Sequence, residues 1–446
     1  MFLPRGHQAL KRRFSSLLSP IQAQQIHNRT EVCEENLERY CSGGYHPVHI
    51  GDEFDSSRYK GEEIDSGRYK IVGKLGYGAF STVWLAQNLK PSHRVKNRHV
   101  ALKFLTADTS FEMGNTTLER SILKKLNKES NNSPGVNRIT KLLHDFTFSG
   151  PNGKHSCLVF KPTGPSLSEY RKLFPGLRVP VPIVKNIARQ LLQGLAYLHD
   201  TCNVVHTDIK LQNILIDTPE MDKIFDRTPT ELFLRESHPV NPPDNFYMQS
   251  TSFVPEEILK NSADISIKLA DFGSACYTFQ HLTEWIQPDV FRAPEVILGD
   301  EWKQKVDIWN FGLVIWELVQ GKLCFDGQVN ATTPYSSEAH LAQMQAILGP
   351  FPDSLIKSST SSDKYFDSQG RLMSDIHIRP VSLSSMNAHS GAVEGEEASN
   401  FVDFIHRTLA LQPRQRPSAY ELLQSRWLRS PLERRSSYRR GISKWR

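Results

Sequence analysis

The stretch His206-Thr207-Asp208-Ile209-Lys210-Leu211-Gln212-Asn213 decides how this chain folds and which chemistry it supports. It follows an apolar helical pattern and precedes the apolar run Ile214–Ile216, which is typical of a loop that leads into a buried strand. Asp208 can orient a hydroxyl group and accept its proton, and Lys210 can neutralise charge on a transferring phosphoryl group. Asn213 can offer an amide oxygen to Mg²⁺.

A second acidic motif, Ala270-Asp271-Phe272-Gly273, follows the apolar run Ile265–Leu269. Asp271 can bind Mg²⁺ that bridges phosphates, and Phe272 can pack as a switch. The stretch Arg292-Ala293-Pro294-Glu295 comes next, and Arg416 is a candidate ion-pair partner for its glutamate. These motifs predict a second magnesium ligand and a long-range ion pair.

A glycine-rich stretch, Leu75-Gly76-Tyr77-Gly78-Ala79-Phe80-Ser81-Thr82-Val83, lies between two strand patterns. Without a Cβ, its glycines let backbone N–H groups approach phosphates closely. Two glycines also fit an ordinary hairpin turn. A dinucleotide site would need a third glycine where Ser81 stands and a helix afterwards, whereas a strand pattern follows. The stretch is therefore a candidate phosphate-binding loop and is not a Rossmann motif.

A lysine and a glutamate complete the candidate site. Val100-Ala101-Leu102-Lys103 reads as a buried strand that ends in an ammonium group, and the helical stretch 117–126 carries Glu119. An ion pair between the two side chains would hold Lys103 against the α- and β-phosphates of a nucleotide. Either residue alone would be interpreted as an ordinary surface charge, so the combination carries the argument.

Composition restricts the class of protein. The 446 residues are enough for two or three folding units, and 39% hydrophobic residues exclude a wholly disordered chain. The 26 glycines show no G-X-Y period, which excludes collagen. The longest apolar run is too short to span a bilayer, so we expect a soluble protein. The six cysteines form no C-x-x-C pair, which favours reduced thiols over a zinc site.

The secondary-structure pattern changes once along the chain. Residues 69–161 alternate between strand patterns and turns, with strands predicted at 70–75, 82–86, 99–105 and 157–160. From residue 183 to residue 427, apolar residues recur at helical spacing. We predict an α+β, bilobal fold with a cleft: a small β-rich N-lobe with one key helix, and a larger α-helical C-lobe.

Both ends of the chain are basic. Residues 1–30 hold five basic residues and no acidic one, which is typical of a mitochondrial presequence; a disordered basic arm for the nucleus or a nucleic acid also fits. Residues 429–446 hold seven basic residues and one acidic residue. We interpret two internal segments as inserts: the proline-containing 217–264, with a net charge of −6, and 328–400, which includes a serine-rich part.

In this order and spacing, the motifs resemble the eukaryotic protein-kinase family. The resemblance implies a kinase domain at 69–428, with an N-lobe at 69–161 and a C-lobe at 165–428, after a tail (1–44) and an extension (45–68). It implies transfer of the γ-phosphoryl group of ATP, with Mg²⁺, to serine or threonine hydroxyls of proteins. The implied catalytic residues are Asp208, Lys210 and Asn213; the implied nucleotide-binding residues are Leu75 to Val83, Lys103 and Glu119; the implied metal ligands are Asn213 and Asp271.

Further motifs resemble the SR-protein kinases of the CMGC group. Thr207 stands where many kinases have arginine, Tyr45-His46-Pro47-Val48 precedes the first strand, and Arg292 precedes Ala293. In many kinases the arginine binds a phosphate on the activation segment. With threonine in its place, we predict activity that does not require phosphorylation of residues 274–291.

The chain departs from that pattern at Pro288-Asp289, where SR-protein kinases resemble one another in a Thr-Arg pair, and residues 328–345 offer only Glu338 as an acid. Lys161 occupies a hinge position that often carries glutamate, and Phe160 would lie at the back of the adenine pocket.

A pseudokinase scaffold that binds partners without efficient phosphotransfer is the alternative function. We expect a monomer in the cytoplasm or nucleus, with mitochondrial import as the alternative. Its expected partners are protein substrates that are basic or contain Arg-Ser, with no strong support for nucleic acid or membrane.

Overall fold

The computed structural model describes residues 34–56, 67–91, 96–111, 115–129, 133–218, 225, 250 and 265–429. Within these residues, strands dominate up to residue 160 and helices dominate after residue 180. The apolar residues of the sheet form a core of their own, and a larger core runs through the helical part. The chain therefore has the predicted bilobal α+β architecture.

The small lobe is built on a six-stranded antiparallel sheet with the order β1-β2-β3-β4-β6-β5. Its strands are β1 (Glu53–Asp55), β2 (Arg68–Gly78), β3 (Ser81–Asn88), β4 (His99–Leu105), β5 (Leu142–Gly150) and β6 (Gly153–Phe160). All four predicted strands are present. The sequence did not reveal β1, which has three residues, or β5, where His144 and Asp145 interrupt the apolar pattern.

The key helix of the small lobe is α2 (Asn115–Lys128), which follows the short α1 (Ala107–Phe111). Leu118, Ile122 and Leu126 recur every fourth residue and are buried, so this face packs into the core. Glu119 lies one turn before the buried Leu123 and therefore shares its direction. The helix predicted at 117–126 is confirmed, and its register places Glu119 toward the interior.

The large lobe is mainly helical, and its described residues also form two short strand pairs. The strands are β7 (Val204–Val205), β8 (Ile214–Asp217), β9 (Ser266–Leu269) and β10 (Cys276–Tyr277), paired as β7 with β10 and β8 with β9. The helices are α3 (Leu167–Tyr170), α4 (Val181–Ala196), α5 (Pro294–Leu298), α6 (Lys305–Gln320), α7 (Ser337–Leu348), α8 (Asp353–Ser358), α9 (Leu383–Ser390), α10 (Gly395–Thr408) and α11 (Ala419–Leu423).

Helix α6 is the centre of the large lobe. Every residue from Val306 to Gln320 is buried, including the acid Asp307. A helix that is apolar nearly all round has to lie inside the protein. Its end is set by Gly321, whose φ of 72° lies in the left-handed region that glycine adopts without steric cost.

The described residues begin within the N-terminal tail that the sequence analysis placed at 1–44. Residues 34–44, assigned above to that tail, include a 3-10 turn at Leu37–Arg39. The Glu35 side chain is buried, and the backbone N–H of Gly43 donates to the carbonyl of Asn152 at 2.8 Å. This segment therefore packs on the small lobe because its acids and aromatic residues find partners there. Residues 1–33, which hold the candidate presequence, and residues 430–446 lie outside the described residues.

The two predicted inserts differ in how much of them is described. Of residues 217–264, the described ones are 217, 218, 225 and 250, and the rest of that prediction lies outside the described residues. The second insert, 328–400, contains α7, α8, α9 and the start of α10. Serines cap two of these helices, α7 and α9, since Ser336 and Ser382 accept the backbone N–H groups of Ala339 and Ser385. Capping explains how a serine-rich segment without strong periodicity becomes helical.

None of the helices in the described ranges combines the length and apolar character that crossing a bilayer requires.

One buried ion pair joins distant parts of the large lobe. The Arg416 guanidinium donates to both Glu295 carboxylate oxygens, at 2.5 and 2.7 Å, and neither side chain is exposed to solvent. The pair predicted from the sequence is therefore present. Arg416 also donates to the carbonyl of Ala410 at 2.8 Å, so the pair fixes the segment after α10 against α5.

Glu295→Gln should lower the free energy of unfolding by about 3–5 kcal/mol, because the Arg416 charge would stay buried without its counterion. Urea unfolding followed by circular dichroism measures the change. Lys303→Ala, which removes the exposed pair with Glu301, is the matched control and should leave the unfolding midpoint where it is. Equal midpoints for Glu295→Gln and the unsubstituted protein would show that the buried pair does not stabilise the fold.

Candidate active site

A cavity of about 690 Å³ lies between the small and large lobes. One end is apolar, with Leu75, Val83, Ala101 and Phe160 in its wall. The other end is polar, and the side chains there are Lys103, Glu119, Asn213 and Asp271. An apolar cleft with a few converging polar groups is the usual form of a small-molecule site.

The glycine-rich stretch forms the turn between β2 and β3, with Gly78 opposite Ser81. The residues of this stretch that line the cavity are Leu75, Gly76, Tyr77, Gly78, Ser81 and Val83. Ala79 and Phe80 are exposed, and Thr82 is buried on the other face, where its hydroxyl accepts the Trp84 indole N–H at 3.0 Å. Side chains alternate along a strand, so Thr82 points away from the cavity, and Ala79 and Phe80 lie in the turn outside its lining.

Lys103, at the end of the predicted strand, connects both lobes. Its ammonium group lies 2.8 Å from Glu119 Oε1 on α2 and 2.8 Å from Asp271 Oδ1 after β9. Burial by itself lowers the pKa of Lys103, but the two carboxylates outweigh it, so the net pKa is raised. The Lys103 charge holds the pKa of Asp271 at about 2. The lysine is therefore charged and positioned, as the sequence predicted.

The catalytic-loop side chains meet at one carboxylate oxygen. Lys210 Nζ and Asn213 Nδ2 each lie 2.8 Å from Asp208 Oδ2. The Asn213 amide nitrogen also donates to the Asp208 carbonyl at 2.9 Å. Since its nitrogen is used in these bonds, the Asn213 oxygen is the atom available for a cation. The three residues predicted from one short stretch are thus brought together.

Asp307 of α6, which the sequence analysis missed, holds the catalytic loop in position. Its carboxylate is completely buried and accepts the backbone N–H groups of His206 and Thr207, at 2.8 and 2.9 Å. His199 Nε2 is a third partner at 2.8 Å. The sequence signal that could have identified Asp307 is an acidic residue inside the apolar pattern of α6, because a buried carboxylate needs several hydrogen-bond partners.

Thr207 links the catalytic loop to the activation segment. Its hydroxyl donates to the carbonyl of Ser274 at 2.8 Å, three residues after Asp271. Its φ of 67° is left-handed, a strained value for a β-branched residue, and its buried hydrogen bonds stabilise this conformation. The residue that replaces the usual arginine therefore binds the activation segment directly.

Phe272 packs inward beside the catalytic loop. Its side chain is buried, and its ring lies 5.0 Å from the His206 ring in an edge-on arrangement. Asp271 has a φ of 64°, so the backbone turns sharply here and directs the carboxylate to Lys103 while the phenyl ring points into the core. This is the packed arrangement expected for the switch position.

The end of the activation segment is held by Gln287 and Arg292. The Gln287 amide donates to Asn310 Oδ1 at 2.8 Å and accepts the Ala293 N–H at 2.8 Å. Arg292 donates to the carbonyls of Ile286 and Gln287 and pairs with Asp289 at 2.9 Å. Pro288-Asp289, the departure noted in the sequence, therefore lies in a segment that hydrogen bonds and an ion pair hold in place.

Phe160 and Lys161 lie where the sequence placed them, at the connection between the lobes. Phe160 ends β6 and lines the cavity at its apolar end. Lys161 also lines it, and its ammonium group is 3.4 Å from Asp217 Oδ1 at the end of β8. The lysine thus ties the connecting segment to the large lobe.

Comparison with known proteins supports the same chemistry as this geometry. The chain matches the protein kinase domain over residues 69–428. It is 32% identical to a serine/threonine protein kinase of Aspergillus fumigatus, over 90% of this chain and 92% of that protein. It is 32% identical to the serine/threonine-protein kinase SRPK of Physarum polycephalum (88% and 90%) and 27% identical to human SRSF protein kinase 3 (89% and 90%).

The chain belongs to the protein kinase family, as an ATP-dependent serine/threonine kinase. Within that family it is an SRPK-like kinase of the CMGC group, as the motifs around Thr207 and Arg292 predicted. Neither the relatives nor the geometry favours the pseudokinase alternative, since the side chains needed for phosphotransfer are present and converge.

The polar end of the cavity fits a magnesium nucleotide. Asp271 and Asn213 supply carboxylate and amide oxygens, which are the ligands that Mg²⁺ prefers. Lys103 supplies a fixed positive charge. A Cβ at Gly273 would come within 3.3 Å of Asp271 Oδ1, so glycine there keeps the space beside this carboxylate open.

Asp208→Ala should lower kcat about 10²- to 10⁴-fold, because the substrate hydroxyl would lose the group that orients it and takes its proton. Lys103→Ala should also reduce phosphotransfer by orders of magnitude, through the loss of the contact that positions the phosphates. Transfer of radiolabelled phosphate to a mixture of basic proteins measures both. Circular dichroism of each variant controls for folding, and undiminished activity of a folded Asp208→Ala protein would contradict the assignment.

Proposed function

We propose that this kinase phosphorylates serine or threonine in basic protein segments, including segments that contain Arg-Ser, and that it does so without phosphorylation of its own activation segment. The observation that carries the catalytic part is the convergence of Lys210 and Asn213 on Asp208 beside the Lys103–Asp271 pair. The polar end of the cavity therefore contains groups for both the hydroxyl and the phosphates.

The roles of the side chains follow from which atoms are already bonded. Lys210 and Asn213 both bind Asp208 Oδ2, so Oδ1 is the oxygen we assign to the substrate hydroxyl and its proton. Lys210, beside that carboxylate, would stabilise negative charge on the transferring group. Lys103 would hold the α- and β-phosphates, while Glu119 keeps its ammonium group in place.

Asp271 and Asn213 are the residues we assign to Mg²⁺, which when bound would neutralise charge between the phosphates. Charge repulsion opposes the approach of carboxylates to phosphates, so this part of the site depends on the cation. The depressed pKa of Asp271, caused first by the Lys103 charge, keeps its carboxylate ionised throughout the ordinary pH range.

Exposed acids support a basic substrate. Glu284, Asp289 and Glu301 have side chains that are 75, 60 and 76% exposed, on or just after the activation segment. The relative named SRSF protein kinase 3 acts, by its name, on SRSF proteins. A substrate that carries arginines would be attracted by this surface, and the −6 charge of residues 217–264 adds to the attraction.

Contacts within the activation segment support activity without its phosphorylation. Thr207 binds Ser274 at the start of the segment, and Arg292 binds the carbonyls of Ile286 and Gln287 near its end. In addition, Lys125 of α2 lies 5.0 Å from the Tyr277 ring. Hydrogen bonds to backbone carbonyls and a cation–π contact would thus supply the order that a phosphate with its arginine partner would otherwise supply.

The proposal places the enzyme inside the cell as a monomer, in the cytoplasm or the nucleus. The basic composition of residues 1–30 supports nuclear targeting as well as the mitochondrial alternative. Imaging of a fluorescent fusion at the C-terminus decides between the compartments, and light scattering gives the oligomeric state.

Treatment of the purified protein with a broad phosphatase should leave at least about half of its kcat, because no phosphate is needed to hold the segment. Mass spectrometry confirms that residues 274–291 are unmodified after treatment. Loss of activity, followed by recovery on rephosphorylation within this range, would contradict the proposal.

A serine peptide flanked by arginines should have a kcat/KM about tenfold or more above that of the same peptide with glutamines, a difference that added salt should reduce. Glu284→Gln should shrink this preference, mainly through KM, and Tyr420→Ala on exposed α11 is the matched control. Equal use of both peptides would rule out a basic substrate class.

A further inference from the structure

Phe225 is an apolar residue of the acidic insert that packs on the small lobe. Its side chain is 4% exposed and forms a small cluster with the buried Leu85 of β3 and the partly buried Val72 and Leu75 of β2. Its ring also lies 5.6 Å from the His99 ring at the start of β4. A phenyl side chain from the insert is therefore fixed against three neighbouring strands, and water is excluded from it.

Phe225 is part of the wall of the proposed nucleotide cavity. Phe225 lines this cavity, as do the apolar residues Leu75, Val83 and Ala101. The charged groups Lys103 and Asp271 line the same cavity. A nucleotide whose phosphates bind beside Lys103 would place its base and ribose against the apolar lining residues, and Phe225 packs with one of these, Leu75.

A second contact anchors the insert beside the same strand. The backbone N–H of Ser250 donates to Glu34 Oε1 at 2.6 Å, and its hydroxyl donates to Glu34 Oε2 at 2.9 Å. Glu34 Oε2 also accepts Lys74 Nζ at 2.9 Å, and Lys74 directly precedes Leu75 in β2. Glu35 Oε2 binds the same ammonium group at 2.5 Å.

This arrangement, which we name the Lys74 clasp after Lys74, Glu34, Glu35 and Ser250, joins three parts of the chain. Lys74, Glu34 and Glu35 have side chains that are 0 to 4% exposed, so the clasp is shielded from solvent and from salt. Ser250 and Glu34 themselves line the cavity. The insert is thus held at two points, Phe225 and Ser250, next to the residue that begins the glycine-rich stretch.

We propose that the insert completes the nucleotide site: Phe225 forms part of the wall for the base and ribose of ATP, and the Lys74 clasp positions this wall. Aromatic carbon next to a purine excludes water from it and offers a flat surface for contact. Phe225 is then a nucleotide-binding residue, and Glu34 is a positioning residue that acts through Lys74 and Ser250. The inference rests on the proposed nucleotide site.

Phe225→Ala should raise KM for ATP about 5- to 30-fold and leave kcat within about twofold, since a contact made equally in the ground and transition states affects KM alone. Direct titration with a fluorescent ADP analogue should give a similar loss of affinity without reference to turnover. Phe225→Leu, which restores bulk, should recover part of the affinity. Tyr420→Ala, an exposed aromatic residue of α11, is the matched control.

Glu34→Gln should also raise KM for ATP, by a smaller factor than Phe225→Ala does. The double variant with Phe225→Ala should show less than the product of the two factors, because both act on one wall. A fully multiplicative effect would show that the clasp does not act through Phe225.

An unchanged KM and unchanged ADP affinity in Phe225→Ala would overturn the inference, and so would a loss of kcat at unchanged KM. If Phe225→Ala fails to fold, as thermal unfolding would show, the same criteria apply to Phe225→Leu. Lys103→Ala distinguishes a failure of the inference about Phe225 from a failure of the proposed nucleotide site. Loss of activity in Lys103→Ala with no effect in Phe225→Ala removes the insert from the site, whereas full activity in Lys103→Ala removes the site itself.

Discussion

The catalytic geometry depends on one buried carboxylate, Asp307. It lies in α6, where it would be costly to bury without compensation, and it accepts the N–H groups of His206 and Thr207 as well as His199. These bonds hold the loop in a sharp turn that includes the left-handed φ of Thr207. The positions of Asp208, and through it of Lys210 and Asn213, follow from this turn.

A second constraint connects the small lobe to this framework. Lys103 in β4 binds Glu119 in α2 and Asp271 in the large lobe, so that sheet, helix and activation segment share one buried ammonium group. Phe272 packs against His206 on the neighbouring side. Thr207 and Arg292 add hydrogen bonds to backbone carbonyls of the activation segment.

The segment before the domain and the insert within it both contact the site. Glu34 and Glu35 bind Lys74, Ser250 binds Glu34, and Phe225 packs against β2 and β3. The glycine-rich hairpin is therefore braced by a segment before the kinase domain and by residues of the insert within it. Tyr45 has a related role, since its hydroxyl donates to the carbonyls of Gly78 and Ala79 at the tip of this hairpin. Buried polar contacts of this kind form only between segments that folding has already brought together.

The sequence by itself determined the bilobal class, four strands of the sheet, helix α2 and the polar residues of the site, because each is encoded by local periodicity or by a short motif whose chemistry is specific. It also predicted the Glu295–Arg416 pair. The partners of Asp307 and the contacts of Thr207, Phe225 and Lys74 were decided by the tertiary structure alone. The sequence does not show which residues these side chains contact, because those partners are up to 216 positions away, as for Ser250 and Glu34.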